Sequence, residues 1–89
     1  MRFSWDPQKD AQNQRDHGVS FQEASTVFGD SLAATIPDLD HSVGEERAIT
    51  MGYSSNGRLL VLSHTEQDDE IRVISAREAT AYERKDYEA

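Results

Sequence analysis

The stretch Ile71-Arg72-Val73-Ile74-Ser75-Ala76-Arg77-Glu78-Ala79-Thr80 decides how the chain folds. Ile71, Val73 and Ile74 are β-branched, which suits a buried strand. Ser75 followed by Glu78 fits the S-x-x-E capping box, so a helix is expected to open there and run to about Tyr87. Arg72 and Arg77 are thereby carried on rigid elements near a strand end and a helix start. A guanidinium is permanently charged and matches phosphate in a bidentate fork, so this placement points to phosphate handling. The competing reading is an edge strand whose arginines are solvated or paired at the surface.

Upstream of this stretch, residues 47–53 and 58–66 read as two strands around Ser54-Ser55-Asn56-Gly57, where Asn-Gly is a strong hairpin signal. Gln67-Asp68-Asp69-Glu70 turns the chain into the last strand, 71–75. Residues 32–36 form a short edge strand halted by Pro37, and 38–46 is an acidic loop without periodicity. At the N-terminus Phe3 and Trp5 alternate with polar neighbours as in a short strand. Asp6-Pro7 is an N-cap followed by an N1 proline, and Gly18 is the stop for a helix reaching about His17. That helix is almost wholly polar, and Lys9, Asn13 and His17 share one stripe of it. Ser20 and Glu23 form a second capping box, with Phe21, Ala24, Val27 and Phe28 on a buried face. The order β-α-α-β-β-β-β-α gives a single α+β domain over residues 1–89. Two N-terminal helices and a C-terminal helix surround one mostly antiparallel sheet.

Composition narrows the function classes. Hydrophobic residues make up 36% of the 89 and the mean hydropathy is −0.76, so the core is small. With no cysteine there is neither a disulfide nor a thiolate site. No apolar run reaches the length of a membrane span and no secretory leader is visible, so a cytoplasmic location is expected. The net charge is −8, and all of it lies in residues 1–70, where five Lys/Arg face thirteen Asp/Glu; residues 71–89 are balanced at four against four. Such a surface repels nucleic acid in general and points to a basic protein partner, leaving any phosphate site local. A stand-alone DNA-binding repressor is a poor fit, since the acidic chain has no basic recognition helix. No cofactor motif is present, and His41-x-x-x-Glu45 sits on a Gly44-bearing loop poorly suited to ligating a metal.

The pairing of the hairpins sets which side chains meet. With an even loop at Asn56-Gly57, Arg47, Ile49, Met51 and Tyr53 share a face with Leu60, Leu62, His64 and Glu66; an odd loop exchanges the sets. In most registers His64, Glu66, Arg47 and Arg72 fall toward one end of the central strands. Arg47, His64, Glu66, Arg72 and Arg77 have the groups for metal-free cleavage of an RNA phosphodiester. Attack by the vicinal 2′-hydroxyl needs a base, an acid for the leaving 5′-oxygen and positive charge on the phosphorane. His64 suits acid or base work, Glu66 orientation or base work, and the arginines the phosphate. Against this stands a plain Glu66–Arg47 cross-strand ion pair beside a solvated histidine.

Taken in order, the motifs Phe3-x-Trp5-Asp6-x-x-Lys9, Asn13 with His17-Gly18-Val19-Ser20-Phe21, and Glu23-Ala24-x-x-Val27-Phe28-x-Asp30 resemble the BrnT family of type II toxin–antitoxin toxins. So do His41-Ser42-x-Gly44-Glu45-x-Arg47, Gly57-Arg58-Leu59-Leu60-Val61, His64-Thr65-Glu66, residues 71–80, Glu83-Arg84 and Tyr87-Glu88. The resemblance spans essentially the whole chain. It implies a small ribonuclease of RelE-like fold that inhibits translation by cleaving RNA, which with the residue cluster gives an expected metal-independent endoribonuclease needing no cofactor. It also implies neutralisation by a BrnA-like ribbon-helix-helix antitoxin, through which alone the chain would meet DNA. The sequence departs at Asp16, where the family usually has lysine, reversing a charge beside the Lys9–Asn13–His17 stripe. Two readings therefore follow: an endoribonuclease toxin, or a catalytically weak relative that binds a basic antitoxin and modulates its repression.

Overall fold

Asp6 and Pro7 start the first helix as their chemistry requires. The Asp6 carboxylate accepts a hydrogen bond from Gln8 N at 2.9 Å, and at the far end Gly18 takes φ 67° while its N–H donates to Gln14 O. This helix, α1 (Pro7–His17), follows a short strand, β1 (Arg2–Ser4), in a computed structural model that describes residues 1–41 and 44–89. Helix α2 (Phe21–Ser25) continues into a 3-10 turn, Thr26–Gly29. Strands β2 (Ala34–Pro37), β3 (Arg47–Tyr53), β4 (Leu59–Gln67) and β5 (Glu70–Glu78) follow, and α3 (Ala81–Tyr87) closes the chain. The five strands form one sheet in the order β1-β5-β4-β3-β2, parallel between β1 and β5 and antiparallel elsewhere. The expected α+β class, element order and edge position of β2 are all found. Of the expected 38–46 loop and of the His41-Ser42-x-Gly44 motif, Ser42 and Val43 lie outside the described residues.

The end of the opening stretch differs from expectation. Ser75 does not cap a helix: it pairs with Ser63 inside the ladder, and β5 runs on to Glu78. The capping box is the next one along, Thr80-x-x-Glu83, with Glu83 N on Thr80 Oγ1 at 3.1 Å and Thr80 N on Glu83 Oε1 at 2.8 Å. Burial decides between them, because Ala76 is packed in the core and its neighbours stay in the ladder. The Ser20 box is half-formed for a related reason. Ser20 Oγ accepts from Glu23 N, but the Glu23 carboxylate turns to Arg58 across the fold.

The hairpin loop has an odd number of residues, 54–58, with Gly57 at φ 78°. The faces of β3 are thereby exchanged relative to the even-loop reading. Ala48, Thr50 and Gly52 stand opposite His64, Leu62 and Leu60 on the helix-covered face, while Arg47, Ile49, Met51 and Tyr53 join Thr65, Ser63, Val61 and Leu59 on the other. The tight turn at Asp68 and Asp69, φ 51° and 66°, sets Glu66 against Ile71, and a bulge at Ser63/His64 then brings Ala76 to Leu62.

Val19, Phe21, Ala24 and Val27 pack on Leu60, Leu62, Val73 and Ala76 to make the core. Gly52 permits the close approach, since a Cβ there would sit 2.9 Å from both Ala33 Cβ and Val27 Cγ1. The polar α1 is held differently. Its single buried residue, Asn13, donates from Nδ2 to Val19 O and Ala76 O, each at 2.8 Å, and accepts from Ala76 N at 3.2 Å. Truncating Asn13 strands three buried backbone groups, so Asn13→Ala is expected to lower stability by about 3 kcal/mol. Urea unfolding checks this, and a loss below about 1 kcal/mol would mean water replaces the amide without penalty.

Candidate functional site

Helices α1 and α2 lie against one face of the sheet, and the arginines of the opening stretch lie on the other, one end of which α3 meets through Arg77–Glu83 and Tyr53–Tyr87. Arg47 and Arg72 flank Thr65 from the two neighbouring strands, which sets their backbones roughly 10 Å apart across two strand spacings. One row along, Ile49, Ser63 and Ser75 are aligned; one further, Met51, Val61 and Arg77. Apart from the buried Leu59 at its α3 end, this face is half-buried to exposed, with polar and apolar side chains interleaved. Among the described residues no carboxylate is ion-paired with Arg72, whereas Arg47 Nε lies 3.8 Å from Glu45 Oε1.

Arg77 is held more firmly. Its Nη1 and Nη2 donate to Glu83 Oε1 and Oε2 at 2.7 and 2.9 Å, a fork built because the Thr80 cap brings Glu83 to the start of α3. The Arg77 guanidinium and the Thr80 N–H lower the Glu83 carboxyl to about 2, and Glu83 in turn raises Arg77. Beside this pair is a hollow of about 170 Å³ lined by His17, Ile49, Val61, Ser63, Ser75 and Arg77. His17, outside the set expected from sequence, reaches it because α1 lies along β5 and Gly18 ends the helix there. The visible signal was its i, i+8 relation to Lys9, read as a stripe and not as a wall of the sheet face. A second hollow, of about 220 Å³, shares His17 and includes Lys9, Gln12, Asp16 and Ile74.

His64 is elsewhere. It is 2% exposed on the helix-covered face, its ring 5.1 Å from and edge-on to Phe28. Its Nε2 shares a hydrogen bond of 2.7 Å with Thr50 Oγ1, which is bonded in turn to Thr35 Oγ1, while Nδ1 has no partner among the described residues. Burial pushes its pKa below the ordinary 6.5, with the Glu66 charge acting the other way. Glu66 stands on the same face at the exposed strand end and shares a groove of about 730 Å³ with Arg47, Glu46 and β2. The structure thus brings Arg47 together with Arg72 on one face, Arg47 with Glu66 in a rim groove, and Arg77 with His17. It does not bring His64 to the arginines, because the odd loop puts Arg47 across the sheet from it; of the expected set, Glu66 shares its face.

The comparisons with known proteins bear on what this sheet face serves. The model of a family described as the ribonuclease toxin BrnT of type II toxin–antitoxin systems matches residues 5–83. The chain belongs to the BrnT family. The crystal structure of the Brucella abortus ribonuclease toxin BrnT has the same fold, with a TM-score of 0.69 at 20% identity over 90% of this chain and 97% of that one. No curated protein matches the chain. The arginine-bearing face and the His17 hollow are therefore features of a BrnT-family protein, and the opening stretch carries two of the three arginines.

The buried imidazole makes the stability of this BrnT-family chain pH-dependent. His64 is depressed in the folded state, so above its ordinary 6.5 both states are neutral and the folded protein keeps its full stability. As pH falls through 6.5 toward the folded value, only the unfolded chain takes up the proton, and stability is lost. The urea midpoint is expected to drop between about pH 7.5 and 5.5, and His64→Gln should flatten that interval. An unchanged slope in the variant would show that other groups carry it.

Proposed function

We propose that the chain is the toxin of a type II pair and an endoribonuclease that inhibits translation by cutting RNA without a metal. The observation that carries this is a half-exposed sheet face bearing Arg47, Arg72 and Arg77 in a member of a ribonuclease-toxin family. The substrate backbone lies along that face, with Arg47 and Arg72 on one phosphate and Arg77 at the next hollow. The 2′-oxygen attacks the adjacent phosphorus and gives up its proton to a base; the phosphorane gathers negative charge that the guanidiniums offset; the 5′-oxygen leaves with a proton from an acid. The products are a 2′,3′-cyclic phosphate and a 5′-hydroxyl. His17 is the imidazole on this face and is assigned proton transfer, a role that His64 cannot take from the core side. Glu66 is a further base candidate beside Arg47 in the rim groove. A BrnA-like antitoxin is the proposed neutralising partner, and any DNA contact runs through it.

A second reading has its own support. Both terminal nitrogens of Arg77 are already engaged by Glu83, and the net charge is −8. An arginine satisfied in this way, on an anionic protein, suits an interaction module with weak catalysis and an antitoxin as its main ligand.

One assay separates the two. Antitoxin-free protein is incubated with labelled mRNA and a chelator, and fragment ends are mapped. Cleavage leaving 2′,3′-cyclic phosphate is expected, reduced about a hundredfold in Arg72→Ala and in His17→Gln but retained in His64→Gln. Circular dichroism confirms that each variant folds. Intact RNA with the unaltered chain would overturn the nuclease reading in favour of the interaction module. Releasing Arg77 in Glu83→Gln is expected to tighten RNA binding several-fold, read by fluorescence anisotropy, since phosphate no longer competes with the carboxylate.

A further inference from the structure

We propose that the free edge of β2 and the groove beside it dock an extended segment of a partner polypeptide in which apolar side chains alternate with lysine or arginine. The backbone comes first. Asp38 N donates to Arg47 O at 2.9 Å, so the antiparallel ladder places Ile36 with Ile49 and Ala34 with Met51 as bonded pairs. The intervening residue, Thr35, then aims its N–H and C=O away from β3, while its hydroxyl is turned inward onto Thr50. All four residues of β2 are exposed, and among the described residues no strand pairs with this edge of the sheet. Pro37 removes the next donor, so the edge offers a short run of backbone bonds and not a template for open-ended pairing.

The side chains around that edge specify the occupant. Ile36 is 60% exposed and Leu39 84%, and both line the groove of about 730 Å³. Leu32, 77% exposed, extends the same edge in the other direction. Two large apolar side chains in one groove on a small protein of mean hydropathy −0.76 are the kind of patch that a partner covers. Exposed Glu46 and Glu66 line it, Glu45 lies beside Arg47 in its wall, and residues 30–46 contain five Asp/Glu without a single Lys or Arg. An incoming strand whose alternate side chains are apolar and cationic satisfies both the pockets and the rim. A second copy of this chain is a poorer occupant, because it would set acid against acid. The proposal rests on the toxin reading and deepens it: a segment lying in this groove sits against Arg47 and covers one end of the arginine row, blocking RNA without touching His17.

The test uses a short labelled peptide of alternating lysine and valine, a glutamate–valine counterpart, and the unaltered chain beside Ile36→Ser with Leu39→Ser. Anisotropy is expected to show saturable binding of the basic peptide, weakened at least about tenfold in the double variant, with no binding of the acidic peptide. The Thr35 amide resonance should move on titration, and the heteronuclear spectrum reports that the variant folds. Equal binding by the variant, an unmoved Thr35 amide, or self-association through this edge overturns the proposal. RNA cleavage by the unaltered chain is read separately. Cleavage with no peptide discrimination sinks the docking site alone; peptide discrimination with intact RNA keeps it and sinks the nuclease reading.

Discussion

β1 covers β5 only over residues 70–72, so the upper half of β5 would be a bare edge if nothing replaced the missing strand. The Asn13 amide replaces it, taking both the N–H and the C=O of Ala76 as a paired residue would, and using its remaining donor on Val19 O. One side chain thereby completes the ladder, attaches a helix that has almost no apolar face, and pins the loop that leads Phe21 into the core. It also sets the rotation of α1, and with it the reach of His17, one turn on from Asn13, over the open face. Without this contact the helix would keep the Asp10 carboxylate on Phe21 N, at 2.9 Å, and the Arg58 guanidinium on Gly18 O at its C-cap.

A second constraint acts from the other side of the core. Arg58 donates from Nε to Glu23 Oε2 at 2.9 Å and from Nη2 to Gly18 O at 3.1 Å, and Ser54 Oγ reaches the same carboxylate at 2.8 Å. Glu23 is thereby lowered to about 2, with the Arg58 hydrogen bond as the main cause. Because Ser54 and Arg58 are the two ends of the hairpin loop, this carboxylate clamps the odd-length turn. The turn length decides which face of β3 is buried, so a single ion pair at the hairpin settles where Arg47 points.

Most of the fold was legible in the residues themselves. Asp6-Pro7, Gly18, Ser20 and Asn56-Gly57 are local punctuation whose geometry needs little outside help, and they were read correctly. What was not legible depends on distant partners. Glu23 has the spacing of a capping arm but prefers Arg58, and Ser75-x-x-Glu78 loses to Thr80-x-x-Glu83 because Ala76 must stay in the ladder. The candidate site was half-readable for the same reason. Arginines on strands could be named, but their face turned on one residue of loop length. His64 looked like an available imidazole because its sequence carries no sign of Phe28 and Thr50 closing over it.

The same features bear on the proposed handling of phosphate by an anionic chain. Its negative charge is concentrated before residue 71, and the segment around β2 holds a large share of it. The arginines are set instead across the middle strands among the hydroxyls of Thr65, Ser63 and Ser75, with Glu45 beside Arg47 and Glu83 on Arg77. At physiological ionic strength charges beyond about 8 Å are largely screened, so the local row decides what a bound phosphate feels and the net charge decides what approaches from afar. Acid at the β2 edge and guanidinium on the adjoining face then divide the surface by charge, and Arg47 stands where the two meet.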